Sequence, residues 1–160
     1  MTHDKKIIIA HYYMNKSRQD ERPDMTNKKL QKLLFYTQAW SLVLNDEKII
    51  DDRFEAWIHG AVIPSLYGRY KKFGFQQIVE DYDTSEFNQL TDSEKQLLDE
   101  VWEVYGMYDP DYLEELNHSE MPWQRARMNT SPLEVSKAII SEEDMKAYYG
   151  EKLKKAKSQE

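Results

Sequence analysis

The residues with the clearest chemical potential are two histidines and an acid that follows the second of them. His59, His118 and Glu120 could hold a metal ion if the fold brought their side chains together. Neither histidine stands in an H-E-x-x-H motif or at a comparable spacing, so the sequence does not favour a metal site. Two interpretations of the histidines remain open. Each ring is either buried against a loop backbone or in contact with another molecule.

Motifs for catalysis are equally weak. The chain has no cysteine and no G-x-S-x-G sequence, which argues against a nucleophilic enzyme. Gly60, Gly68 and Gly74 do not form the G-x-x-x-x-G-K pattern of a phosphate-binding loop. The neighbouring acids Glu114 and Glu115 would point about 100° apart on a helix and could not act as a catalytic pair. The sequence therefore predicts a protein that is not an enzyme and needs no cofactor.

Two basic clusters could instead bind nucleic acid. They are formed by Lys28, Lys29 and Lys32, and by Arg69, Lys71 and Lys72. Tyrosines interleave with the second cluster, and basic residues beside aromatic rings can bind single strands. A solvated helix face explains the same lysines more simply, and the formal net charge of -7 repels phosphate backbones. Nucleic acid is thus an unfavoured partner.

The elements that must position these residues are mainly helical. Apolar residues at helical spacing predict a first helix over residues 4–16 and a central helix over residues 26–45. Further helices are expected to begin at Pro64, Thr91, Pro110, Pro122 and Ser141. The expected core includes Leu33, Leu34, Leu98 and Trp102. Two apolar runs separated by Asp51 and Asp52 predict a short β-hairpin over residues 48–58, inserted after the second helix.

Length and composition indicate one folded domain. A chain of 160 residues with 40% apolar residues can build a single core, which we place in residues 1–150, with a charged and frayed C-terminal tail over residues 151–160. The apolar run at residues 7–10 is far too short for a signal peptide or a membrane span. We expect no membrane association and a cytoplasmic location, which the absence of cysteine also fits.

Three sequence blocks resemble a known family. They are KLQKLLFYTQAW at residues 29–40, FEAWIHGAVIPSLYGRYKKFG at residues 54–74 and NHSEMPWQRAR at residues 117–127. In this order they resemble the Panacea domain, also called the SocA-like or phage-associated GepA-like family. The similarity runs over nearly the whole chain.

The resemblance implies a mainly helical, non-catalytic domain from a small bacterial or prophage-borne protein. Many such proteins are antitoxins that neutralise unrelated toxins, and one delivers its toxin to a protease as an adaptor. The expected partner is therefore a protein toxin encoded beside this gene, with a protease as a further partner. The alternative is a regulator of a prophage or mobile element that contacts nucleic acid.

The shared segments also divide into expected scaffold and expected contact residues. The scaffold residues are Trp57, Gly60, Pro64, His118, Pro122 and Trp123. The partner-binding residues are His59, Tyr67, Arg69 and Tyr70. Tyrosine and arginine supply much of the binding energy when an interface desolvates them, so we expect these four side chains to be exposed.

Overall fold

The protein is built mainly from helices that surround one central helix. Its structure, a computed structural model, describes residues 4–159. The helices are α1 (Lys5–Gln19), α2 (Asn27–Asn45), α3 (Pro64–Tyr70), α4 (Asp92–Tyr105), α5 (Pro110–His118), α6 (Met121–Ala126) and α7 (Glu142–Ser158). The strands are β1 (Glu55–Trp57) and β2 (Gly60–Val62), and short 3-10 helices lie at Lys71–Phe73 and Thr84–Gln89. The predicted fold class, a mainly α domain with a short hairpin after the second helix, is confirmed.

The central helix α2 is covered on every side. It packs against α1, α4, α5 and α7, and 14 of its 19 residues are buried. The hydroxyl of Thr26 accepts a hydrogen bond from the backbone N–H of Lys29, which caps the first turn as predicted. The helix ends at Asn45, and the left-handed backbone of the following residue, Asp46, stops the helical hydrogen bonding. All four predicted core residues are buried.

Local capping signals set the other helix starts. Thr91 and Glu94 form a reciprocal capping box at α4, and the Ser141 hydroxyl accepts from the N–H of Asp144 at α7. Pro64 and Pro110 open α3 and α5, where a missing N–H costs no helical hydrogen bond. These predicted starts are confirmed.

The hairpin lies further along the chain than predicted. Strands β1 and β2 pair antiparallel with Trp57 opposite Gly60, so the turn falls at Ile58 and His59. The backbone of Ile49 and Ile50 instead meets one side chain of α2. Both N–H groups donate to Oε1 of Gln38, at 3.1 and 3.0 Å, and Nε2 of Gln38 donates to the Ile50 carbonyl. The predicted pairing of residues 48–50 is wrong because Gln38 replaces the strand partner.

A later segment closes over the hairpin. The N–H of Ala56 donates to the Ala138 carbonyl, and the N–H of Ile140 donates to the Phe54 carbonyl, both at 2.8 Å. The buried guanidinium of Arg127 holds the same region, since its Nη1 donates to the Ala56 carbonyl. Residues 131–140 are thereby fastened along β1 and form one side of the site described next.

Candidate functional site

The hairpin turn presents His59 to solvent. Its side chain is 62% exposed, and Nδ1 lies 3.0 Å from Oε1 of Glu114 on α5. The same oxygen accepts from Nζ of Lys28 at 2.9 Å. Burial opposes ionisation of Glu114, but the hydrogen bond and charge of Lys28, together with His59, lower its pKa. The ionised carboxylate therefore orients His59 while leaving most of the ring accessible.

Helix α3 carries two more of the predicted contact residues, of which Tyr67 meets the hairpin. The Tyr67 ring meets Trp57 edge to face with a centroid distance of 5.0 Å, and it stays partly exposed. Arg69 is exposed, and its Nη2 lies 2.8 Å from Oε1 of Glu80. Each side chain is thus held by a neighbour without being covered.

Tyr70 differs from its neighbours because it is buried. Its hydroxyl donates to Oε2 of Glu80 at 2.6 Å, and the ring belongs to the core. Burial, followed by the hydrogen bond and charge of Glu80, raises the pKa of Tyr70. The expectation of an exposed Tyr70 side chain is wrong, because Glu80 accepts the hydrogen bond of its hydroxyl and so permits burial. The sequence around Glu80 gives no clear signal of this pairing.

The expected scaffold residues meet one another around the same turn. Nε1 of Trp123 donates to the Trp57 carbonyl at 2.9 Å, which ties α6 to the hairpin. Pro122 is buried in the first turn of α6. His118 stacks on Trp123 with a centroid distance of 4.1 Å, and burial lowers the pKa of its imidazole.

The two histidines do not converge with Glu120. That acid is buried in the core, where its Oε1 accepts from the hydroxyls of Tyr36 and Tyr149. Among residues 4–159, no three His, Asp or Glu side chains are arranged to hold a metal ion.

The lysines of α2 do not form the solvated face that was predicted. Lys29 is buried, and its Nζ bonds to Asp24 and to the Gly106 carbonyl, at 2.9 and 2.7 Å. Lys32 is buried as well, and Lys28 is paired with Asp111 and Glu114. The prediction is wrong because other elements of the fold surround α2. The aliphatic parts of its lysine side chains therefore pack against protein instead of extending into water.

A cleft of about 580 Å³ opens between the N-terminal half of α2, the hairpin turn, α3 and the segment around Val135. Trp57, Val62 and Phe75 supply apolar wall, and Lys32 contributes a charge at its base. Burial lowers the pKa of Lys32 to about 7. Sequence reasoning placed this lysine on a solvated face, since only the packing around α2 distinguishes it from a surface residue.

No helix within residues 4–159 combines the length and apolar character needed to cross a membrane.

Comparison with known proteins identifies one family. A family model described as antitoxin SocA-like, Panacea domain, matches residues 30–124, which is more than half of the chain. No curated protein and no solved structure matches the chain. The matched segment includes most of the central helix, the hairpin, α3 and α5, and therefore most of the cleft, but not Asn27, Lys28 or the segment around Val135. The resemblance inferred from the sequence is confirmed, and the chain belongs to the SocA-like antitoxin family with a Panacea domain.

Proposed function

We propose that this protein is an antitoxin that binds a partner toxin and neutralises it, either directly or by presenting it to a protease. Membership of an antitoxin-like family supports this role. The observation that carries it here is that His59, Tyr67 and Arg69, all inside the family segment, keep exposed surface while neighbouring side chains orient them. We call these three residues the hairpin–α3 face.

The physical character of the hairpin–α3 face suits protein recognition. Glu114 orients His59, Trp57 supports Tyr67, and Glu80 orients Arg69. Side chains that are already oriented lose little conformational entropy on binding, so more of the contact energy appears as affinity. We remove Tyr70 from the proposed contact residues because its side chain is buried. Its proposed role is to hold Glu80 in position through the hydroxyl hydrogen bond.

The nucleic-acid alternative has less support. Lys28 and Lys29 are held by acids, Lys32 is buried, and the chain carries a formal net charge of -7. At α2, binding of a phosphate backbone would have to break ion pairs, and the negative net charge opposes it there and at the exposed Lys71 and Lys72. A protein that binds at the hairpin–α3 face does not need to break the ion pairs of α2 and does not bring a phosphate backbone into the negative field of the chain.

Co-expression with the toxin candidate from the adjacent gene tests the proposal. The wild-type chain should restore growth, and Tyr67→Ala combined with Arg69→Ala should reduce the rescue while the melting temperature changes by only a few degrees. Arg125→Ala is the matched control, because Arg125 is 64% exposed on α6 and lies outside the face. Trp57→Ala should lower stability and rescue together, since Trp57 supports Tyr67 and lines the cleft.

Failure of the wild-type chain to rescue growth would contradict the antitoxin role for that toxin. Full rescue by a folded variant lacking all three side chains of the hairpin–α3 face would keep the role and relocate the interface.

A further inference from the structure

Lys32 is a buried amine without an acid of its own. Its side chain is 1% exposed, and Nζ donates one hydrogen bond, to the Ala61 carbonyl at 3.2 Å. No carboxylate in the part of the chain that the structure describes lies within ion-pair distance of this ammonium. Glu114, whose charge acts on Lys32, is engaged by Lys28 and His59. An ammonium has three donors, so two remain available.

The hairpin turn fixes Lys32 in place. Gly60 has φ +109°, and a Cβ at this position would overlap Cε of Lys32 and lie 2.7 Å from Oδ1 of Asn117. That oxygen accepts from the N–H of Ala61 at 2.7 Å, so the turn, the asparagine and the lysine form one packed unit. A buried charge held this rigidly is normally matched by a counter-charge.

The cleft above Lys32 is suited to bind a molecule that brings a negative charge to this lysine. None of its lining residues is an Asp or Glu, although acids outnumber basic residues in the chain by 29 to 22. Lys71 and Lys137 add positive charge at exposed positions. Trp57, Tyr67 and Phe75 provide aromatic surface. A volume of about 580 Å³ lies within the usual range for small-molecule sites.

We propose that this cleft binds a small carboxylic acid with a flat apolar body, with the carboxylate against Nζ of Lys32 and the body along Trp57, Tyr67 and Phe75. A monoanion fits better than a phosphate because it matches the single buried charge, whereas a dianion would leave one charge uncompensated in a poorly solvated site. Burial, with a smaller contribution from the charge of Lys28, lowers the pKa of Lys32 to about 7, and a bound carboxylate would favour the charged form. The cleft shares His59 and Tyr67 with the hairpin–α3 face, but the experiments below use the free chain and need no toxin.

Matched acids and amides test the proposal on the free chain. Indole-3-acetate, phenylacetate and octanoate would each be titrated against the corresponding amide, with the indole N–H signal of Trp57 as the NMR reporter. At least one acid should bind about tenfold or more tightly than its amide, since a charge-assisted hydrogen bond distinguishes the two. Lys32→Met should remove that preference. Lys137→Met at the exposed rim should change it less than about threefold.

A second arm asks whether the carboxylate belongs to a free small molecule or to the carboxyl terminus of a peptide. N-acetyl-Trp-Leu would be compared as the free acid and as the C-terminal amide. In either arm, a preference for the acid that depends on Lys32 supports the site. If the small acids bind more tightly than the peptide acid, the carboxylate comes from a free small molecule, and in the opposite case it comes from a peptide C-terminus. Equal binding of acids and amides, no binding by any acid at millimolar concentration, or an unchanged preference in Lys32→Met would overturn the proposal.

Discussion

Replacing Lys32 by methionine should make the protein more stable. Methionine has nearly the same length and fills irregular apolar space, but it carries no charge to desolvate. The lysine is 1% exposed and has the Ala61 carbonyl as its hydrogen-bond partner. Removal of an uncompensated buried charge should therefore outweigh the loss of one hydrogen bond.

The magnitude follows from the pKa of Lys32. Burial lowers it from an ordinary value of 10.5 to about 7 in the folded chain. Between these values the unfolded chain binds more protons than the folded chain, so stability rises as the pH rises. At pH 7 the cost of the lysine is about 4 kcal/mol, and it falls by about 2 kcal/mol between pH 7 and pH 9. After about 1 kcal/mol for the lost hydrogen bond, the variant should gain about 3 kcal/mol at pH 7.

Urea unfolding at pH 7, 8 and 9, followed by tryptophan fluorescence, measures both effects. The difference in unfolding free energy between Lys32→Met and wild type should shrink by about 2 kcal/mol over this range. Lys29, whose pKa burial also lowers, contributes equally to both proteins and cancels in the difference. Lys154→Met, at an exposed position of α7, is the control and should follow the wild type at every pH. Parallel pH profiles for Lys32→Met and wild type would refute the reasoning.

Two further substitutions test the scaffold, each by urea unfolding. Gly60→Ala should lower stability by about 2–4 kcal/mol, because φ is +109° and the new Cβ would strike the Lys32 side chain. Gly68→Ala, which has open space on α3, should instead be neutral or slightly stabilising, and equal losses at both glycines would contradict this account. Leu98→Ala should cost about 2–5 kcal/mol because Leu98 is fully buried. Leu133→Ala, at an 85% exposed residue, should change stability by less than about 0.5 kcal/mol, and a similar loss there would show that the core is misassigned.

Much of the helical fold could be predicted because its signals are local. Thr26, Thr91 and Ser141 each accept a hydrogen bond from an N–H three residues later, so sequence spacing suffices to identify the helix start. Burial of Leu33 and Trp102 follows equally well from helical periodicity. Such features require no knowledge of distant parts of the chain.

The errors arise where a distant side chain decides the outcome. Gln38 takes the backbone hydrogen bonds of Ile49 and Ile50, which moves the hairpin along the chain. Glu80 satisfies the Tyr70 hydroxyl and so permits its burial. Neither pairing leaves a trace in the spacing of apolar residues.

The candidate site was predicted only in part for the same reason. The segment at residues 54–74 was identified as the region of interest, and the structure places His59 and Tyr67 on the same cleft while Arg69 pairs with Glu80. Lys32 was assigned to a solvated face because its neighbours in sequence include Lys28 and Lys29. Its burial depends on α2 being enclosed by four other helices, which is a property of the assembled fold.

The affinity of the purified chain for the proposed toxin partner tests the central claim most directly. Calorimetry would compare the wild type, the triple variant His59→Ala/Tyr67→Ala/Arg69→Ala and the control Arg125→Ala, each with its unfolding free energy measured alongside. The account predicts that the folded triple variant binds about 100-fold or more weakly, while the control stays within about threefold of wild type. Wild-type affinity in the folded triple variant would contradict the claim that the hairpin–α3 face binds the toxin.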